Sequence, residues 1–176
     1  NFARENKLSI QVAARNLRYE WFDEILKKQF AAKLSQHPYL LTAHHADDNV
    51  ETMLMNFFKG SGINGLKSIL PKNKNIVRPL LFAFKNEIFE YAIEHHLSYR
   101  EDVSNASDKY TRNYFRNQLI PGIEKVFPEV KNNLANNADR FREIHELYST
   151  SVERIKKNMT NSLPRLVIWR NVIYAF

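Results

Sequence analysis

Titratable side chains concentrate in the stretch TAHHADDNVETMLMNFFKGSGINGL, which spans residues 42–66. Two histidines and three carboxylates come first, and three of the four glycines in the chain follow them. Paired carboxylates can bind an ammonium group, or Mg²⁺ together with phosphate oxygens. The stretch has no H-E-x-x-H or similar zinc pattern, so no metal-ligating residues are assigned.

The preceding apolar run YLLTAHH predicts a buried parallel strand that ends near His44. Open α/β sheets bind ligands at the carboxyl ends of such strands, which favours a binding site here. Asp48 and Glu51 also have the spacing of a helix capping box, in which both carboxylates only satisfy backbone amides. Spacing alone leaves both interpretations open. The candidate binding residues are His44, His45, Asp47, Asp48 and Glu51.

The glycines match G-x-G-x-x-G but lack the context of a dinucleotide fingerprint. That fingerprint follows a strand and opens a helix, whereas Gly60 follows a predicted helix. The pattern instead predicts a helix C-terminal turn in which Gly60, and on the same grounds Gly62, takes a positive φ. A mobile loop close to a ligand is the alternative.

Arg112 and Arg116 form a second chemical feature, in the segment EDVSNASDKYTRNYFRNQLIP. They are four residues apart, so on a helix their guanidiniums project from one face. Such a pair suits phosphate or carboxylate groups bidentately, and a solvated basic face is the alternative. Arg15 and Arg18 are interpreted as ordinary surface charges.

Hydrophobic periodicity predicts the elements that must position these residues. We expect helices from the N-cap Ser9 to about Phe30, from Asp47 or Asp48 to about Lys59, and over 84–96. We also expect a helix that is interrupted at Pro121 and a long helix from Pro128 to about Lys157. We expect strands at 39–44 and 75–81, a small strand at 97–102 and a strand-like tail after residue 160.

This order predicts an α/β fold, with a parallel sheet and flanking helices followed by a helical segment. We divide the chain into an α/β domain at 1–127, a helical segment at 128–158, and a linker or the start of a further domain at 159–176. Apolar residues at helical spacing, among them Ile10, Leu17 and Trp21, predict that the first helix is amphipathic. The stripe of the long helix that includes Ile144 and Leu147 is expected to pack in the core or in an interdomain seam.

Composition narrows the function. The chain has 176 residues, a net charge of +7 and no cysteine, which excludes disulfides, thiolate metal sites and thiol nucleophiles. Basic segments flank an acidic middle, so nucleic acid is expected on the flanks and a cationic group in the centre. Without a signal peptide or an apolar run near the roughly 20 residues of a membrane span, we expect a cytoplasmic protein that does not contact the membrane.

Four segments in this order resemble the tRNA(Ile)-lysidine synthases, which are N-type ATP pyrophosphatases of the PP-loop class. They are SIQVAARNLRYEWF, TAHHADDNVETMLMNFFKGSGINGLKSI, RPLLFAFKNEIFEYA and EDVSNASDKYTRNYFRNQLIPGIEKVFPEV. The resemblance implies that residues 1–127 are a partial catalytic domain with an adenine-nucleotide alpha-hydrolase-like fold. It also implies a ligase that adenylates C2 of the wobble cytidine of an isoleucine tRNA with ATP, after which free L-lysine displaces AMP to give lysidine.

The resemblance carries site roles over to this chain. Asp48 and Glu51 would recognise the amino groups of lysine, with His44, His45 and Asp47 lining the same pocket. Arg112 or Arg116 would act on ATP or on the transition state, and Mg²⁺ is expected beside ATP. A homodimer is one open alternative for the assembly.

One family motif is not found in these residues, namely the Ser-Gly-Gly-x-Asp-Ser loop that cradles the phosphates of ATP. The opening NFARENKLSIQ has no methionine, so we expect a fragment whose missing start holds that loop and which is inactive by itself. Two alternatives remain: a related tRNA-thiolating ATP pyrophosphatase, which the lack of cysteine disfavours, and a noncatalytic module that binds tRNA or phosphate.

Overall fold

The computed structural model describes residues 2–32, 38–100, 111–162, 166–169 and 172–175. The chain divides into two compact units. The first unit comprises Asn1–His45 and Leu70–Phe84, and the second comprises Ala46–Ile69 and Lys85–Phe176. The domain boundaries expected from sequence stay a prediction.

The described helices are α1 (Phe2–Glu5), α2 (Ile10–Ala31), α3 (Ala46–Phe58), α4 (Gly62–Leu66), α5 (Lys85–Glu94), α6 (Thr111–Tyr114), a π-helical segment (Phe115–Leu119), α7 (Ile120–Glu124) and α8 (Val130–Ser162). The described strands are β1 (Leu40–Leu41), β2 (Lys72–Asn73), β3 (Ile76–Val77), β4 (Leu166–Trp169) and β5 (Val172–Ala175).

The first unit holds a small mixed sheet in the order β1-β3-β2. β1 and β3 are parallel, with Leu40 opposite Ile76, which confirms the expected parallel pairing of these two segments. β2 and β3 are antiparallel because Lys74, with a φ of 52°, turns the chain back between them. The expectation of a parallel sheet was therefore wrong for β2, and both predicted strands are shorter than their apolar runs.

Helix α2 begins where the sequence indicates. Ser9 is its N-cap, with an extended backbone and a side chain that accepts a hydrogen bond from the Val12 amide at 3.3 Å. Of the apolar positions that predict this helix, Ile10 and Trp21 are exposed, and Ala13 is buried, among the described side chains. Helical spacing identifies an apolar stripe on a helix, but it does not show whether a neighbouring element covers that stripe.

The second unit is built on α3. Val50 and Met53 are buried where α3 packs against α4 and α8, and Ala138 of α8 is also buried. Ile144 and Leu147 of the α8 stripe are exposed, so they are not core residues of this unit, and their place in an interdomain seam stays a prediction. The small residue Ala138 allows the close approach of helices that larger side chains would prevent.

Two further expectations needed correction. Residues 97–100 form no strand, and residues 101 and 102 lie outside the described part of the chain. The interruption expected at Pro121 lies just before it, because the α-helix changes to a π-helical segment over Phe115–Leu119. Pro121 then lies in the first turn of α7, where a proline is tolerated.

The tail was predicted to be strand-like, and β4 and β5 pair as an antiparallel hairpin. No helix in the described ranges is both long and apolar enough to span a bilayer.

Candidate active site

Helix α3 places the acidic residues of the opening motif within its first two turns. It begins at Ala46, so Asp47 and Asp48 lie inside the first turn, where the amino end of the helix favours negative charge. The capping-box interpretation, which made Asp48 the N-cap, was therefore wrong. Glu51, one turn further on, faces the interior and has no exposed surface.

Both predicted arginines contact Glu51. Arg116 donates from Nε to Oε1 at 2.6 Å and from Nη2 to Oε2 at 3.1 Å, while Arg112 Nε lies 3.2 Å from Oε2. Arg116 Nη2 also donates to Asp48 Oδ1 at 3.3 Å. The carboxylate pair and the arginine pair, which the sequence presents as separate features, therefore form one ion-pair cluster in the second unit.

Burial and charge act in opposite directions on this cluster. Burial raises the pKa of the Glu51 carboxyl above its ordinary value, and the hydrogen bond and charge of Arg116 limit the rise. Burial also lowers the pKa of Arg116, but the attraction of Glu51 and Asp48 outweighs it and raises that pKa overall. Arg116 is therefore a permanent cation whose countercharge is buried beneath it.

Asp47 has a different environment from Asp48. Its Oδ2 accepts a hydrogen bond from the backbone amide of Lys85, the first residue of α5, at 2.8 Å. Its Oδ1 lies 3.5 Å from Lys131 Nζ, which also approaches Glu124 at 3.4 Å. Asp47 thus stabilises the start of α5 across 38 positions of sequence, a role that no local pattern indicates.

Two residues of α3 that the sequence did not single out also make side-chain hydrogen bonds, Thr52 to the cluster and Asn49 to the segment that follows α4. Thr52 Oγ1 accepts a hydrogen bond from Arg112 Nη2 at 2.5 Å. Asn49 is buried, and its Oδ1 accepts the Ile69 amide at 2.9 Å while its carbonyl accepts the Ser68 hydroxyl at 2.7 Å. Both residues lie within the acidic motif, and this location was the signal in the sequence that could have identified them.

The two histidines belong to the first unit. His44 Nδ1 lies 2.9 Å from Thr42 Oγ1. His44 lies three residues beyond the end of β1 at Leu41, so the strand ends earlier than predicted. His45 is the last residue of that segment of the first unit, directly before α3 in the chain. The assignment of both to a lysine pocket stays a prediction.

The glycine turn is confirmed as a helix C-terminal turn, with φ angles of 67° at Gly60 and 64° at Gly62. Residues 62–66 form the short helix α4, and the movement of this segment close to a ligand stays a prediction. Gly65 is required by space, because a Cβ there would overlap the side chain of Ser61. Asn56 connects α3 to the turn and to α4 through two hydrogen bonds. Its side-chain amide donates to the Gly65 carbonyl at 2.9 Å, and its backbone carbonyl accepts the Ser61 hydroxyl at 2.8 Å.

The carboxylates contact cations and an amide of the protein itself. The oxygens of Glu51 contact guanidiniums, and those of Asp47 contact an amide and an ammonium group. Within the described part of the chain, no group of three or more histidine or acidic side chains is placed to hold an ion. Mg²⁺ bound by one or two carboxylates together with the phosphates of ATP stays a prediction.

Comparison with known proteins agrees with the motifs. Three curated relatives carry the name tRNA(Ile)-lysidine synthase. The Parabacteroides distasonis protein is 38% identical over 168 residues, covering 96% of this chain and 37% of its own length. The Bacillus subtilis protein is 39% identical over 165 residues, covering 91% and 34%. The Thermosipho africanus protein is 42% identical over 127 residues, covering 72% and 28%.

The chain thus spans about a third of the length of the curated relatives it matches. A family model described as the PP-loop domain matches residues 1–123. Because that match covers well over half of the 176 residues, the chain belongs to the PP-loop domain family.

Proposed function

We propose that this chain is part of the catalytic domain of an ATP-dependent tRNA(Ile)-lysidine synthase. Curated relatives with that name match most of the chain, and the PP-loop domain supports ATP as a substrate. In the proposed reaction, O2 of the wobble cytidine attacks the α-phosphate of ATP and pyrophosphate leaves. The amine of lysine then attacks C2, the C2–O bond breaks, AMP leaves with that oxygen, and the amine loses a proton.

The observation that carries the catalytic proposal is the attachment of two arginines to one buried carboxylate. Each guanidinium has part of its donor fork occupied by Glu51, which fixes its direction. Such prepositioned cations stabilise charge that develops on a phosphoryl group without reorganising during the reaction. We therefore assign Arg112 and Arg116 to the α-phosphate and the departing AMP. The side chain of Arg112 is 38% exposed, which suits contact with a substrate.

The same contacts refine the proposed lysine site. Both oxygens of Glu51 contact guanidiniums and its side chain is 1% exposed, so an ammonium group reaches Asp48 more readily, at 15% exposure. We propose that Asp48 binds the ammonium directly, while Glu51 supplies negative charge from below. His44, His45 and Asp47 keep their proposed place around the ligand, on the family resemblance.

The charges of these contacts support this division of roles. Asp47, Asp48 and Glu51, with Glu124 beside Lys131, carry four negative charges, and Arg112, Arg116 and Lys131 carry three positive charges in contact with them. A lysine ammonium would therefore add a cation to contacts in which carboxylates outnumber cations. Asp48 is the easier carboxylate to reach, because its side chain is 15% exposed and that of Glu51 is 1% exposed.

The test is mass analysis of an unmodified isoleucine tRNA transcript incubated with the complete gene product, ATP and lysine. The proposal predicts a mass gain equal to lysine minus one water, confined to the anticodon loop. A gain from sulfur incorporation would favour the thiolating alternative, although this chain contains no cysteine. Binding of tRNA without any mass gain would favour the noncatalytic module.

A further inference from the structure

A cleft of about 660 Å³ lies wholly within the first unit. This volume is in the range of pockets that hold a small molecule or one nucleotide. Helix α2 forms one wall, and the start of β1 with the β2–β3 turn forms the other. The lining side chains that matter here are Tyr19, Lys27, Phe30, Tyr39, Lys74 and Asn75.

The cleft lies at the amino edge of the sheet. Tyr39 immediately precedes β1 and Asn75 immediately precedes β3, and these strands are parallel. Their amino ends therefore meet at one edge, opposite the edge at which α/β sheets bind their catalytic ligands. The proposed chemistry does not account for this cleft.

Aromatic side chains are exposed in the cleft although burial would be favourable. Tyr39 is 53% exposed and Phe30 is 63% exposed, and Tyr19 is half-buried beside them. Exposed aromatic rings on a polar surface are typical of sites that stack nucleic acid bases. Stacking is compatible with every base, so such a site needs no particular sequence.

The cleft is also basic. Lys27 lines the helical wall and Lys74 lines the opposite wall, and Asp23 is the acidic residue among the lining side chains. Lys72 adds a third cation, with Nζ donating to the Tyr39 hydroxyl at 3.2 Å and lying 4.7 Å from the centre of its ring. Positive charge on both walls suits a phosphodiester chain, which continues on each side of a bound base.

We propose that this cleft binds a single-stranded segment of RNA, with one base stacked on Tyr39 and the adjacent phosphates beside Lys27 and Lys74. The inference rests on the proposed function in that the RNA is the tRNA substrate. It adds a contact surface at the edge of the sheet opposite the expected chemistry. A free mononucleotide would need only one phosphate contact, so it would not explain why a lysine lines each of the two walls of the cleft.

The test measures the affinity of the complete gene product for an unmodified isoleucine tRNA transcript and for a short single-stranded RNA oligonucleotide. Tyr39→Ala is expected to weaken binding of both by about tenfold, the size of one lost stacking contact. Tyr39→Phe keeps the ring and is expected to bind like wild type. Lys27→Gln and Lys74→Gln are each expected to reduce the slope of log affinity against log salt by about 0.7.

Matched controls are Tyr91→Ala and Lys125→Gln, since both side chains are exposed and neither lines the cleft. The proposal is wrong if Tyr39→Ala binds both RNAs like wild type, or if it loses only affinity for free AMP. Should Tyr39→Ala not fold, an unchanged salt slope for Lys74→Gln overturns the proposal equally. Lysine incorporation at saturating tRNA distinguishes a failure of the cleft proposal from a failure of the proposed function. If the proposed function is wrong, the wild-type protein does not incorporate lysine. If it is right, the wild type and the cleft variants all incorporate lysine at saturating tRNA.

Discussion

Arg116 donates two hydrogen bonds to Glu51, from Nε to Oε1 at 2.6 Å and from Nη2 to Oε2 at 3.1 Å. The two bonds are bidentate, so they fix the direction of the guanidinium as well as its distance. Glu51 lies beneath it with a side chain that is 1% exposed. The pair therefore links a buried anion on α3 to a partly exposed cation 65 residues away.

Arg116→Lys tests whether this geometry, and not charge alone, is used in catalysis. A lysine keeps the positive charge but loses the planar fork, so the bidentate contact with both carboxylate oxygens of Glu51 is lost. We expect the free energy of unfolding to fall by about 1–3 kcal/mol, the cost of an unmet hydrogen bond to a buried charged group. We also expect single-turnover adenylation of tRNA to fall at least about tenfold.

Stability by denaturant titration and adenylation by rapid quench measure the two effects separately. The exposed Arg154→Lys in α8 is the matched control, and it should change neither quantity. A variant that loses stability but adenylates at the wild-type rate would show that Arg116 has only a structural role.

Glu51→Gln should reveal the raised pKa of Glu51 through the pH dependence of stability. Because the folded-state pKa lies above the ordinary value of 4.5, the folded protein keeps this proton where the unfolded chain has released it. The contribution of Glu51 to the free energy of unfolding therefore falls as pH rises from about 4.5 through the folded-state pKa. The Gln variant cannot titrate here.

The measurable quantity is the difference in free energy of unfolding between wild type and Glu51→Gln across that pH range. We expect this difference to shift against wild type with rising pH, even if the variant is less stable throughout because two guanidiniums lose their countercharge. A difference that stays constant, or shifts towards wild type, contradicts the raised pKa.

Gly65→Ala tests the packing of the glycine turn. A Cβ at Gly65 would overlap the side chain of Ser61, so we expect a loss of about 1–3 kcal/mol in the free energy of unfolding. Ser61→Gly should restore most of that loss when the two changes are combined. Gly122→Ala is the control, because its Cβ would meet nothing within 4 Å and alanine favours the helix. Equal losses at the two glycines would rule out the overlap.

Local signals in the sequence were sufficient for several elements of the fold. The hydroxyl of Ser9 starts α2, and Gly60 ends α3 through a backbone conformation that other residues rarely adopt. The parallel pairing of Leu40 with Ile76 followed from apolar runs that alternate with helices. In each case the determinant lies within a few residues of the feature.

The site needed information that no local pattern contains. Arg112 and Arg116 could be placed on one helix face, but not opposite Glu51, because that contact depends on how α3 packs against a segment more than 60 residues away. The first turn of α3 was misplaced for a related reason. The Asp47 carboxylate accepts a hydrogen bond from a backbone amide of α5 instead of capping α3, so its side chain does not mark the start of α3.

Asp48→Asn tests the proposed ammonium site. The change keeps the shape of the side chain and removes its charge, and the lost contact with Arg116 is a partly exposed one at 3.3 Å. We therefore expect the free energy of unfolding to fall by less than about 1 kcal/mol. The KM for lysine should rise at least about tenfold, because the ammonium loses a charged partner. The KM for ATP should stay unchanged, because Arg112 and Arg116 keep their contacts with Glu51.

Asp139→Asn is the matched control, because it also removes a carboxylate that pairs with an arginine, Arg142, on a largely exposed helix position. It should lose similar stability and leave the KM for lysine unchanged. Steady-state lysine incorporation into the tRNA transcript, with lysine and ATP varied in turn, measures both constants. If Asp48→Asn raises the KM for ATP instead, Asp48 acts through Arg116 on the nucleotide, and the ammonium must bind elsewhere.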